Sequence, residues 1–276
     1  MDLPAGISVT RVFQTWFERT LSGPRDRHAF MAYGGLTAVY NRRSDKSPTR
    51  ARLSRIMAAA LLAFVVSTPA AAEEVASAEP GTSAGADPVK VVALGTSLTA
   101  GFGLDQADGF VPQLQAALDA AGLAVVVENA GVSGDTSAGG LARLGWSLND
   151  DVDAVIVELG SNDALRGFEP QQTRENLTAI LDELTGRGLP VLLTGMLAPP
   201  NLGEEYGEEF ASIYPDLAAE YDVLFYPFFL EGVAAEASLN QADGIHPNAD
   251  GVAVIVEAIT PYAVQLVKHA RDDASS

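Results

Sequence analysis

The sequence predicts an α/β fold, a parallel sheet covered by helices on both faces. Two observations carry that reading. Strand-length apolar runs, most of them β-branched and nearly continuous, recur at residues 89–94, 124–127, 154–159, 190–196 and 223–226. Strands buried on both faces read this way, whereas half-exposed strands alternate. Between the runs lie longer segments with apolar spacing near 3.6 residues, at about 110–121, 138–148, 173–187 and 206–221, with a last at about 250–269; that spacing is the signature of a helix with one buried stripe. Strand–helix alternation calls for crossover connections and hence parallel strands. In such sheets ligands bind beyond the carboxyl ends of the strands. The loops that matter therefore begin at Gly95, Asn129, Gly160 and Leu197, together with the loop before the final helix.

The chain has 276 residues, 47% of them hydrophobic, enough for one ample core plus an extension. Charge divides it. Residues 1–72 carry 10 Lys/Arg against 4 Asp/Glu, whereas residues 73–276 carry 7 against 32. So acidic a domain repels phosphate backbones and anionic lipid surfaces, which excludes nucleic acid as an expected partner. Solubility is the simpler reading of the acidity. With no cysteine, disulfides, thiolate zinc sites and cysteine nucleophiles are excluded. No metal or cofactor is expected.

Arg50, Arg52 and Arg55 precede an apolar run at 57–66, followed by Ser67-Thr68-Pro69 and Ala70-Ala71-Ala72. That order, basic then apolar then small, is a secretory leader with Glu73 as the first mature residue. About ten apolar residues fall short of the roughly twenty that span a bilayer, so no stable span is expected after processing. The expected organisation is an upstream extension at 1–56 with translation starting at Met57 or Met31, a leader at 57–72, a flexible lead-in at 73–87 and one α/β domain at 88–270. Export to the periplasm follows from the leader.

Chemistry gathers at the strand ends. After the first run comes Gly95-Thr96-Ser97-Leu98-Thr99-Ala100-Gly101, which places Ser97 on a strand-to-helix turn as a nucleophile or, equally, as a helix cap. No Lys follows the glycines, so this is not a phosphate-binding P-loop, and the spacing differs from the G-x-S-x-G elbow. After the second run, Asn129-Ala130-Gly131-Val132-Ser133-Gly134-Asp135-Thr136 offers Gly131 as a backbone N–H donor or as an ordinary turn glycine. After the third, Gly160-Ser161-Asn162-Asp163 offers the Asn162 amide to an oxyanion, or a cap or Asx-turn. Before the last helix, Asp243-Gly244-Ile245-His246-Pro247 sets an acid and an imidazole three residues apart. The acid can take Nδ1–H and leave Nε2 as a base. Together these loops complete the parts list for acyl transfer.

The same blocks carry a resemblance. Residues 94–101, 129–136, 157–167, 195–201 and 243–248 resemble the GDSL/SGNH hydrolases, in particular the secreted arylesterase, thioesterase I and lysophospholipase type, over residues 89–262. The resemblance implies a three-layer α/β/α flavodoxin-like sandwich with a five-stranded parallel sheet. It further implies Ser97 as nucleophile, His246 as base, Asp243 as orienting acid, and an oxyanion hole from the Ser97 and Gly131 amides and the Asn162 side chain. The substrate implied is a small-molecule ester, thioester or lysolipid. Two departures stand out: Thr96 where the family usually has Asp, and Ser161 in place of a common Gly. The first is expected to loosen the turn or shift Ser97 reactivity, the second to crowd the oxyanion side or add a polar contact. Residues 164–170 are expected to form a mobile flap, with Ala164, Leu165 and Pro199 as substrate-binding candidates and residues 225–230 as a second wall or as core. His269 is expected in a polar tail without a catalytic role. A catalytically impaired ligand-binding domain and an acyltransferase using the same serine are the rival readings.

Overall fold

A computed structural model describes residues 87–274. The extension at 1–56, the leader at 57–72 and all of the lead-in but Asp87 lie outside the described residues. Five strands, β1 (Val89–Gly95), β2 (Val125–Gly131), β3 (Ala154–Glu158), β4 (Val191–Thr194) and β5 (Leu224–Tyr226), form one sheet in the order β2-β1-β3-β4-β5. All four pairings are parallel, as expected. The central strands β3 and β4 are buried along their whole length and β1 nearly so, whereas the edge strand β2 has exposed and half-buried positions. That is why the apolar run ended at Val127: an edge strand continues through Glu128 and Asn129 to Gly131 without needing apolar side chains on both faces.

The helices are α1 (Ser97–Ala100), α2 (Phe110–Ala120), α3 (Ser137–Ala142), α4 (Leu144–Ser147), α5 (Ser161–Leu165), α6 (Pro170–Gly186), α7 (Glu204–Tyr221) and α8 (Ala249–Ala274). Parallel crossovers are right-handed. The step from β1 out to β2 therefore places α2 on one face, and the reversal from β2 across to β3 places α3, and then α6 and α7, on the other. α8 returns to the first face and packs on α2. The helix expected at 138–148 is two pieces, broken at Arg143. α6 starts earlier than expected because Pro170 sits at its first turn, where a missing N–H costs nothing.

α8 buries Val252, Ile255, Val256, Ile259, Ala263, Leu266, Val267 and Ala270, a stripe at three- and four-residue intervals. Residues 249–272 are long and apolar enough to cross a membrane by composition, but this stripe belongs to the core. His269 lies on the same helix rather than in a tail and is exposed. The reversal of direction after β1 makes the carboxyl ends of β1 and β3 a topological switch point, where a crevice opens between diverging connections.

Candidate active site

Ser97 opens α1 directly beyond β1. The turn is tight because two glycines let backbones and side chains close in. A Cβ on Gly95 would lie 2.0 Å from Thr99 Oγ1 and 2.7 Å from Glu158 Oε2, and one on Gly131 would lie 2.3 Å from the Ala100 nitrogen. Thr96 caps the helix, its Oγ1 accepting from Leu98 N–H at 3.4 Å. Below it sits Glu158, the last residue of β3 and fully buried. Its carboxylate accepts Thr96 N–H at 2.9 Å, Thr99 Oγ1 at 2.9 Å, Thr96 Oγ1 at 3.0 Å and Thr99 N–H at 3.3 Å, all on Oε2. Burial pushes the Glu158 carboxyl up to about 7, against the lowering effect of the Thr96 and Thr99 hydrogen bonds. The two departures from the family pattern touch each other, Ser161 Oγ lying 3.4 Å from Thr96 Oγ1. Thr96 is thus tied to Glu158 by its backbone and its hydroxyl, and Ser161 adds a polar contact.

The Asp/His loop is built differently. A short antiparallel stem closes it: Gln241 N–H donates to His246 O at 2.7 Å, Asn248 N–H to Leu239 O at 2.9 Å, and Asn240 bridges to Pro247. Inside, Asp243 Oδ1 accepts the Ile245 and His246 amides, both at 3.1 Å, an Asx-type turn. Its Oδ2 lies 2.7 Å from His246 Nδ1. Burial raises the Asp243 pKa, but the bonds from His246 and the two amides outweigh it and hold the carboxyl below its ordinary value. Gln241 then joins the two halves. Its Nε2 donates to Phe102 O at 2.8 Å on the serine side and to Pro247 O at 2.9 Å on the histidine side.

These elements bring His246 Nε2 to 2.9 Å from Ser97 Oγ. The line Asp243–His246–Ser97 is thus continuous at hydrogen-bond distances, with Phe102 packed on the imidazole at 4.7 Å between ring centroids. Asn162 enters from α5, and its Nδ2 donates to Asp135 O at 2.8 Å, which leaves its second proton available. Gly131 departs from expectation. Its N–H donates to Asn129 Oδ1 at 2.9 Å, and its missing side chain makes room for α1. That bond engages the amide proton within its own turn, so a substrate oxygen there competes with Asn129 Oδ1 for it. Ala164 is also corrected: at 1% exposure it belongs to the core and does not line a substrate surface. Leu165, 45% exposed, and the half-buried Pro199 retain surface. Of the 225–230 stretch, Tyr226, Phe228 and Phe229 are core.

Sequence reasoning gave Glu158 no role, although a charged residue closing a buried strand demands partners. It also missed the brace around Asp135: Arg143, itself buried, binds Asp135 Oδ2 at 2.6 Å and Gly95 O at 2.9 Å. Among the described residues no cluster of His, Asp and Glu could hold a metal. A cavity of about 300 Å³ lined by Pro190, Val191, Val223, Leu224 and His269 lies at the amino ends of β4 and β5 and contains none of the triad.

The model of the GDSL-like lipase/acylhydrolase family matches residues 93–254, a span that holds every residue of this constellation. The chain belongs to that family. Esterase TesA of Pseudomonas aeruginosa is 42% identical over 172 residues, covering 62% of this chain and 86% of that protein. Thioesterase 1/protease 1/lysophospholipase L1 of Escherichia coli strain K12 is 41% identical over 177 residues, 64% of this chain and 84% of that protein. The crystal structure of AlinE4, an SGNH-hydrolase family esterase, superposes with a TM-score of 0.56 at 46% identity, over 65% of this chain and 97% of that one. This GDSL-family chain is accordingly an ester hydrolase with a flavodoxin-like five-stranded sheet.

Proposed function

We propose that the chain hydrolyses carboxylic esters and thioesters through a Ser97–His246–Asp243 triad and a covalent acyl-enzyme. The observation that carries this reading is the unbroken relay, 2.7 Å from Asp243 to His246 Nδ1 and 2.9 Å from Nε2 to Ser97 Oγ. His246 takes the Ser97 proton as Oγ adds to the acyl carbon. The tetrahedral oxyanion is met by the Ser97 N–H, by the second Asn162 Nδ2 proton and by the N–H of Gly134, which makes no hydrogen bond among the described residues. His246 returns the proton to the leaving oxygen or sulfur, and the C–O or C–S bond breaks. Water, deprotonated by the same imidazole, then releases the acid and restores Ser97. Asp243 stays ionised throughout and stabilises the imidazolium.

The rim supports an apolar acyl group: Phe102 (49% exposed), Val132 (43%) and Leu165 (45%), the last at the end of α5, are exposed apolar side chains in the segments that follow β1, β2 and β3. Thioester and lysophospholipid substrates enter the proposal through the names of its relatives. The leader at 57–72 supports export to the periplasm.

Ser97→Ala and His246→Ala each remove nearly all turnover of p-nitrophenyl esters, on the order of 10³-fold or more, with thermal unfolding unchanged within a few degrees. A fluorophosphonate labels the native chain at one serine and leaves Ser97→Ala unmodified. Wild-type turnover in Ser97→Ala would overturn the triad.

A further inference from the structure

Glu158 takes no part in the relay, yet it lies directly under the nucleophile. Every N–H of the turn can be traced. Thr96 and Thr99 N–H go to Glu158, Leu98 N–H goes to Thr96 Oγ1, and Ala100 N–H goes to Thr96 O. Among the described residues, Ser97 N–H alone in this turn has no protein acceptor. Oε2 thus draws in the Thr96 and Thr99 amides, Thr96 Oγ1 takes that of Leu98, and the Ser97 amide is left for a substrate oxygen. Thr96 and Thr99 hydroxyls bind the same carboxylate, so it grips the turn by backbone and side chain together.

Two independent features point the same way. Gly95 is needed where it is because any side chain there would strike both Thr99 Oγ1 and Glu158 Oε2. And Glu158 is fully buried with no ion pair among the described residues. A carboxylate in such a place is costly unless its lone pairs are filled, and an apolar side chain serves packing better. What an apolar side chain does not supply is an acceptor for two amides of this turn.

We propose that Glu158 is the positioning residue of the nucleophile: through Thr96 and Thr99 it holds the 96–99 turn so that Ser97 Oγ meets His246 and the Ser97 N–H is left for the oxyanion. Thr96 and Ser161 complete the device. An ionised Asp at position 96 offers acceptors alone to Glu158, whereas Thr offers a donor, and Ser161 Oγ backs that hydroxyl from the other side. The inference rests on Ser97 being the nucleophile.

The test uses four variants beside the Ser97→Ala control, with p-nitrophenyl acetate for kcat and KM and a fluorophosphonate for the rate of serine labelling. Glu158→Gln keeps shape but turns one acceptor into a donor facing other donors. Thr96→Val and Thr99→Val each remove one hydroxyl, and Thr96→Ser keeps it. Glu158→Gln, Thr96→Val and Thr99→Val still take one label per chain, but kcat and the labelling rate fall together by about tenfold or more, toward the order of 10²-fold for Glu158→Gln. KM stays within about threefold, since the substrate-facing side chains are untouched. Thr96→Ser keeps kcat near wild type. Thermal unfolding confirms that each variant is folded; should Glu158→Gln fail to fold, the two near-isosteric valine variants decide. Wild-type kcat and labelling rate in folded Glu158→Gln, or in both valine variants, overturn the proposal. Labelling of Ser97→Ala at wild-type rate instead refutes the serine reading on which it stands.

Discussion

The two halves of the site are held by carboxylates in opposite circumstances. Under the serine, Glu158 is fully buried and collects donors from a rigid turn at the heart of the sheet. Behind the histidine, Asp243 is exposed, part of a surface loop that shapes itself. Burial raises one acid to about 7, while local hydrogen bonds hold the other below its ordinary value. A nucleophile must meet a fixed oxyanion geometry and so is anchored in the core. A base must only keep one ring nitrogen aimed and the other protonated, and a local turn is enough for that. The serine half is set by tertiary structure, the histidine half by five consecutive residues.

Asp243→Asn breaks the histidine half with the largest effect. Asn keeps an oxygen for the Ile245 and His246 amides but turns an NH2 toward Nδ1, which selects the wrong tautomer, so kcat falls on the order of 10³–10⁴-fold. Steady-state kinetics at neutral pH with the fold verified by circular dichroism measures it; a loss under tenfold would show that the loop alone orients the ring.

Stability separates the halves next. The Glu158 carboxyl binds its proton more tightly in the folded chain, where burial raises it to about 7, than at its ordinary value of 4.5. The stabilisation this group contributes is therefore fully present below about 4.5 and lost as the pH rises through about 7. Glu158→Gln does not titrate. Melting wild type and variant side by side from pH 4.5 to 8 shows the wild type losing ground by on the order of 3 kcal/mol. A constant difference across that range means that Glu158 ionises as it does in water. Functional sites commonly carry such a cost to stability.

The smallest effect concerns the link between the halves. Gln241→Leu removes the donors to Phe102 O and Pro247 O. Loss of two neutral hydrogen bonds at about 1 kcal/mol each lowers the melting temperature by several degrees and, by loosening the link between the halves, lowers kcat about tenfold. An effect on stability without one on kcat would assign Gln241 to folding alone.

The same contrast explains what the sequence disclosed. Asp243 and His246 were legible because their relation is local, three residues apart in a turn that needs no partner. Five strands were legible because central parallel strands are apolar throughout, and their alternation with helical spacing leaves little choice of topology. Glu158 hid inside one of those runs, a single acid between Val157 and Leu159 in a stretch read as continuously apolar; its partners are 59 and 62 residues away. Gly131 owes its place to the fold as much as to its neighbours. Its amide is taken by Asn129, two residues back, and its missing side chain is explained by Ala100, which only the β1–β2 pairing brings near. The break at Arg143 likewise follows from distant contacts, the side chain reaching Asp135 and the Gly95 carbonyl.

The loop between Leu239 and Asn248 closes on itself by its own backbone bonds before α8 begins. It is therefore a cassette: acid, imidazole and the angle between them travel together, whatever scaffold receives the two ends. Transplanting the acid and imidazole onto another sheet of this kind then turns on the span from that cassette to a serine at the end of a neighbouring strand, while the oxyanion donors must come from the receiving strand ends.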